Sequence, residues 1–269
     1  MVTPRVSLFP GPRLAASLLF AVVFAIPVGA WAQPDASDEA VPTRVMVRVR
    51  SNDAKLLQDP VGGARVTIRA VGTGEVLAEG RVEGRSGSTE AIMRKPHARG
   101  ASIYDTSGAA GYLATLRLTR PTQVEISAEG PLDYPQAMQR AATTMWLVPG
   151  EDVLGDGVVL TLHGFIVEVL GAEAAASGEA VEVDARVRML CGCPTKPGGL
   201  WDADRYAITA QLLRDDVVLA EAPMRYAGSP SRYEADVPVP ETGATAVRVV
   251  ASDAARVNFG VATRELTGN

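Results

Sequence analysis

The sequence predicts an all-β chain of two tandem antiparallel β-sandwiches behind a signal peptide. Three observations carry this. Apolar and polar residues alternate with a period of two in most runs after residue 42. The runs are short and separated by turn signals such as "DPVGG", "GTGE", "PGG" and "PETG". No long helical pattern occurs, and short strands at roughly 8–12-residue spacing are the mark of sandwiches and small barrels.

The N-terminus sets the compartment. Arg5 and Arg13 precede the apolar run "LAASLLFAVVFAIPVGA", which ends in Ala30-Trp31-Ala32. A positive flank, an apolar core and a small-x-small ending read as a secretory signal peptide, residues 1–32, cleaved after Ala32. The other reading is a retained anchor. The run is short against the ~20 residues a span needs, and Pro27 lies within it. The residue just after the cut is Gln33 and not cysteine, which argues against a lipoprotein, and no later stretch is apolar enough to span a bilayer. Cleavage removes both arginines and takes the formal charge from −5 to −7. An acidic surface disfavours nucleic acid or an anionic membrane as partner. The expected location is the bacterial periplasm or the medium.

Residues 33–42, "QPDASDEAVP", read as a disordered lead-in. The strands follow in order. Val45, Val47 and Val49 alternate with Met46, Arg48 and Arg50, and Ala64, Val66 and Ile68 alternate with Arg65, Thr67 and Arg69. Tyr112, Ala114, Leu116 and Leu118 share one face, as do Val124, Ile126 and Ala128. "YPQAMQRAATTM" (134–145) is the one place where a short helix is expected. A joint follows near "LVPGEDVLGDG" (147–157). Beyond it, Val181, Val183, Ala185, Val187 and Met189 face one way. Tyr206, Ile208, Ala210 and Leu212 repeat the pattern, as do Tyr233, Ala235, Val237 and Val239, and then Val247, Val249 and Ala251. Such alternation marks half-buried antiparallel strands. The outward positions are Arg, Glu, Asp and Thr, which does not fit the lipid-facing band of an outer-membrane barrel. Two sets of about seven strands give domains at 43–150 and 158–267.

Within 43–150, "DPVGGARVTI" (59–68), "DTSGAAGYLATL" (105–116) and "PTQVEISAEGPL" (121–132) resemble a transthyretin-like, carboxypeptidase-regulatory-type domain. Within 158–267, "SRYEADVPVPETGATAVRVVASD" (231–253) and "NFGVATREL" (258–266) resemble the last strands of a bacterial immunoglobulin-like domain, though without the family's tyrosine near Thr245. The resemblances imply a transthyretin-like sandwich followed by an immunoglobulin-like one. They bring no catalytic residues, and such domains are mostly accessory modules.

The chemistry-bearing stretch is "RVRMLCGCPTKPGGLWD" (186–202), which holds the only two cysteines. Residues two apart point the same way on a strand, so Met189, Cys191 and Cys193 continue the core face until Pro194 stops the ladder. Three readings stay open. Cys191 and Cys193 form a local disulfide or redox pair. Extended residues two apart stand ~6.6 Å between Cα atoms at ~3.3 Å rise, and disulfides prefer ~5.5–6 Å. Gly192 must then bend the chain, and the bond is easily reduced. Alternatively, two thiolates with the Met189 thioether, and His163 as an added imidazole, form a soft site for copper. The third reading is inert buried thiols, since free cysteine packs as a small hydrophobe. Structural zinc is disfavoured, because a second cysteine pair is missing.

Other chemistry is weaker. His97 sits in the basic loop "RKPHARG" and reads as solvated, and "G-x-S-x-G" does not occur. Trp201, Asp202 and Asp204 mark a candidate binding loop at a sandwich pole. Asp202 and Asp204 could meet a calcium ion, but the EF-hand pattern is missing. Trp146 and Trp201 are too few and too far apart in sequence to argue a stacking platform. The expectation is therefore an exported, non-enzymatic accessory or binding module without a cofactor, recognising another envelope protein or a surface polymer through its loops. The alternative is a periplasmic copper-binding or thiol-redox protein built on Cys191-Gly192-Cys193.

Overall fold

A computed structural model describes residues 39–266 apart from 174, 175 and 177. The expected signal peptide, residues 1–32, and most of the expected lead-in lie outside the described residues. The fold is all-β, with two face-to-face sandwiches.

The first sandwich holds seven strands: β1 (Val41–Ser51), β2 (Ala64–Ala70), β3 (Val76–Val82), β4 (Tyr112–Leu118), β5 (Thr122–Gly130), β6 (Gln139–Leu147) and β7 (Val153–Leu162). They form sheets ordered β4-β1-β7 and β3-β2-β5-β6. The alternation read from the sequence becomes the core. Val45, Val47 and Val49 of one sheet meet Val66, Ile68, Val124 and Ile126 of the other, all fully buried. Aliphatic burial at ~25 cal/mol per Å² supplies the drive for this face-to-face packing.

The second sandwich holds β8 (Phe165–Ala172), β9 (Ala180–Met189), β10 (Ala207–Arg214), β11 (Val217–Pro223), β12 (Arg225–Tyr226), β13 (Arg232–Pro238), β14 (Ala246–Asp253) and β15 (Asn258–Glu265). Its sheets run β12-β13-β9-β8 and β11-β10-β14-β15. Val181, Val183, Ala185 and Val187 pack there against Ala210, Leu212, Val247 and Val249.

Five sequence expectations change. Only a 3-10 turn, Pro135–Ala137, survives of the helix expected over 134–145. Residues 139–147 are β6, paired along its length with β5, because the sheet edge offers the backbone a full ladder. Strand β1 begins at Val41, inside the expected lead-in. The boundary also moves. The sequence expectation gives residues 158–162 to the second domain, but they complete β7, which pairs with β1 in parallel. "VVLTLHGFIVEV" reads as one continuous strand. Gly164, at φ 141°, breaks it and sends β8 to the other sandwich. A Cβ there would stand 2.9 Å from the Phe259 carbonyl oxygen, so the break needs glycine.

Finally, Arg48 does not face solvent. It is 3% exposed, and its guanidinium donates to the carbonyls of Ala109, Ala110 and Gly155 and to Asp105 Oδ1 at 2.8 Å. The 99–111 segment folds over β1 at Arg48 and covers that side chain. The same segment is pinned by Asp156, whose carboxylate accepts from Ser102 Oγ and from the backbone N–H groups of Ile103, Tyr104 and Asp105 at 2.7–2.8 Å. Burial pushes the Asp156 carboxyl up, but these four hydrogen bonds outweigh it and hold it below the usual carboxylate range.

Candidate functional site: the cysteine turn and the junction between sandwiches

Strand β9 ends at Met189, and the chain then reverses instead of continuing straight. Gly192 N–H donates to Met189 O at 2.8 Å, and Met189 N–H donates to Cys193 O at 3.1 Å. Arg188 bridges Pro194 across the reversal. Gly192 takes φ 78°, a left-handed conformation that glycine adopts without strain. A period of two places Cys191 and Cys193 along one extended face. The turn brings their Cα atoms to 5.4 Å, and the two Sγ atoms are bonded. Cys191 is 0% and Cys193 5% exposed.

The turn does not sit at a free pole. It lies where the two sandwiches meet. Gln58 of the first sandwich donates from Nε2 to Cys191 O at 2.9 Å. A Cβ on Gly192 would stand 2.8 Å from Val61 Cγ1, so the turn packs directly on the first sandwich. Leu190, between the strand and the disulfide, is fully buried in the first core, while Met189, Cys191 and Cys193 belong to the second.

Two further lines of contact extend the junction. Trp201 is 7% exposed, and its Nε1 donates to Asp53 O at 3.0 Å, in the turn after β1. Asp53 also pairs with Arg256, Oδ2 to Nε 2.8 Å, and burial raises its carboxyl. Asn52 Nδ2 donates to Arg256 O. On the other side, Arg188 donates to Tyr134 Oη at 2.8 Å and to Glu168 at 2.9 Å, and its guanidinium lies 5.0 Å from the Tyr134 ring centre. Gln136 Nε2 donates to Val167 O at 3.2 Å. Sequence reasoning missed Asn52, Asp53, Gln58, Tyr134 and Gln136. Each is an ordinary polar loop residue in sequence, with no spacing that announces a partner about 30 to 200 positions away.

Most of the sequence-marked residues have structural partners. Trp201, proposed for a binding loop, is turned inward, because its indole fills the space between the Asp53 turn and the second core. Asp202 Oδ1 accepts from Gly198 N–H at 2.9 Å and Asp204 N–H at 3.2 Å, shaping its own turn. Asp204 is exposed. Met189 Sδ accepts from Tyr206 Oη at 3.9 Å, and burial raises the Tyr206 phenol well above its ordinary range. His163 is exposed, with Nδ1 3.0 Å from Val257 O. The bonded cysteines present no thiolate for a soft metal in this form. Among the described residues, no three of His, Cys, Asp and Glu converge as ligands. Of the groups considered for copper, Cys191 and Cys193 form the disulfide, Met189 Sδ meets Tyr206 Oη, and His163 Nδ1 lies near Val257 O.

Beyond the junction, Thr195 anchors the chain as it leaves the turn. It is fully buried and donates to Val187 O at 2.8 Å, with its hydroxyl 2.7 Å from Tyr233 Oη. The result is a bonded, hydrogen-bonded and packed seam that joins the sandwiches into one compact unit, Glu39–Asn269.

No family model matches the chain, and no curated protein does. Among solved structures it is similar to a DUF3823 family protein from Parabacteroides merdae, at 10% identity and a TM-score of 0.29, covering 85% of this chain and 100% of that one. It is also similar to a marsupial T cell receptor, at 9% identity and TM-score 0.27, over 84% of this chain and 73% of that one. A β-glucuronidase from Parabacteroides merdae aligns at 12% identity and TM-score 0.19, over 84% of this chain and 24% of that one.

Proposed function

We propose that this chain is an exported, non-enzymatic accessory or binding module of the bacterial periplasm or envelope, a transthyretin-like sandwich followed by an immunoglobulin-like one. The observation that carries the reading is the Cys191–Cys193 disulfide, set in the buried seam between the sandwiches. Intramolecular disulfides persist in oxidising compartments, and the N-terminal pattern points to the same place. The residues with chemical potential serve the seam, which supports a scaffold role. A rigid scaffold with exposed loops and grooves suits recognition of an envelope protein or a surface polymer.

The test is expression of the full chain in a Gram-negative host. Periplasmic recovery, an N-terminus at Gln33 and two cysteines that resist alkylation until reduced support the reading. Cytoplasmic recovery of the uncleaved chain with free thiols overturns it. Co-sedimentation of the purified mature chain with isolated envelopes tests the binding role, and full recovery in the supernatant overturns that part.

A further inference from the structure

One pole of the first sandwich carries a groove of about 400 Å³. It forms where the turn after β2, the turn after β4 and the end of β6 come together. Trp146, next to last on β6, lines it and is 63% exposed. A tryptophan left this open forfeits much of the burial that normally holds the residue inside. Its cross-strand neighbour on β5 is Gln123, which also lines the groove.

The rest of the lining is polar and charged. Glu75, Arg117 and Arg120 stand there with Gln123. Arg117 donates to Ala40 O. Among the described residues, the side chains of Glu75, Arg120 and Gln123 make no hydrogen bond or ion pair. An open indole beside unspent amide, guanidinium and carboxylate groups does not fit an apolar ligand. A few convergent polar groups around an aromatic surface are what fix a polar ligand's orientation. A pyranose ring has an apolar C–H face for the indole and equatorial hydroxyls for the amide and the carboxylate. The charged groups of the groove are two arginines against one glutamate, which favours a carboxylate on the ligand in an otherwise acidic protein.

We infer that this groove binds an acidic oligosaccharide, with Trp146 stacking on a sugar ring, Gln123 and Glu75 holding hydroxyls, and Arg120, helped by Arg117, pairing with a uronate carboxylate. The inference rests on the reading of the chain as a binding module and names its polymer class.

The experiment is a titration of the mature protein with a galacturonic acid hexamer, followed by indole fluorescence and calorimetry, with a β-1,4-linked glucose hexamer in parallel. The mature chain has only Trp146 and the buried Trp201, so a change in the exposed-indole emission reports Trp146. Saturable sub-millimolar binding of the acidic hexamer is expected, weakening as salt rises. Trp146→Ala is expected to weaken it about tenfold or more, and Arg120→Gln severalfold. Both residues are on the surface, so thermal stability of the variants should stay within a degree or two of the parent. No binding of the acidic hexamer, equal binding of the neutral one, or undiminished binding by Trp146→Ala overturns the inference. Envelope co-sedimentation by the parent and by Trp146→Ala alike, with a failed titration, would sink this groove while leaving the module reading intact.

Discussion

Reducing the Cys191–Cys193 bond should loosen the seam by a small, calculable amount. The bond closes a loop of three residues. Loop-closure entropy for so short a loop is worth about 1.5 kcal/mol. For a folded body of this size, that corresponds to a fall of about 3–6 °C in melting temperature. The assay is thermal unfolding of the protein before and after treatment with a phosphine reductant, with thiol labelling to confirm that both cysteines are free. Cys191→Ala/Cys193→Ala serves as the control that must not respond to reductant. A second measurement isolates the seam. Gln58 donates to Cys191 O, so Gln58→Ala should cost about 1 kcal/mol in the oxidised protein. If the bond holds that carbonyl in place, the cost should fall toward zero in the double-alanine background. An unchanged melting temperature after confirmed reduction refutes the reasoning. So does a Gln58→Ala cost that is the same in both backgrounds.

Three other outcomes test the same structure. Arg48→Met removes a charged donor to three loop carbonyls, so it should cost about 1–3 kcal/mol and speed tryptic cleavage after Arg99; stability and cleavage equal to the parent's would contradict the buried clamp. Asp156 has a depressed folded-state pKa, so its contribution is present above the ordinary carboxylate range near ~3.9 and is lost as pH falls through the lower folded value. Asp156→Asn should therefore be less stable at neutral pH and show a shallower acid limb in a pH-dependent melting series, and an identical acid limb would rule the pinning out. Trp201→Phe should cost about 1 kcal/mol for the lost bond to Asp53, and Trp201→Ala about 3–5 kcal/mol for the emptied seam, both read by urea unfolding. A near-neutral Trp201→Ala would place the indole on a free surface instead.

By itself the sequence determined the class of the fold and the faces of its strands. A period of two is a local property, so Val45, Val47 and Val49, or Val181, Val183 and Ala185, declare their buried side without any partner being known. The two resembling motif sets rest on turn residues and core positions, which are local as well. Other features depend on contacts far along the chain, and only the tertiary structure decided them. Gly164 ends one sandwich and opens the other because the Phe259 carbonyl lies against it. Residues 139–147 become a strand because β5 offers an edge. Arg48 is buried because the 99–111 segment returns to cover it. The cysteine turn is the sharpest case. Its residue types were conspicuous in sequence, but its neighbours Gln58, Val61 and Asp53 were not. Its place in the seam follows from which loops meet there, and no local periodicity encodes that meeting. Trp146 carries the same lesson in reverse: one isolated tryptophan says nothing in sequence, and it gains a use only where three separate segments fold a polar groove around it.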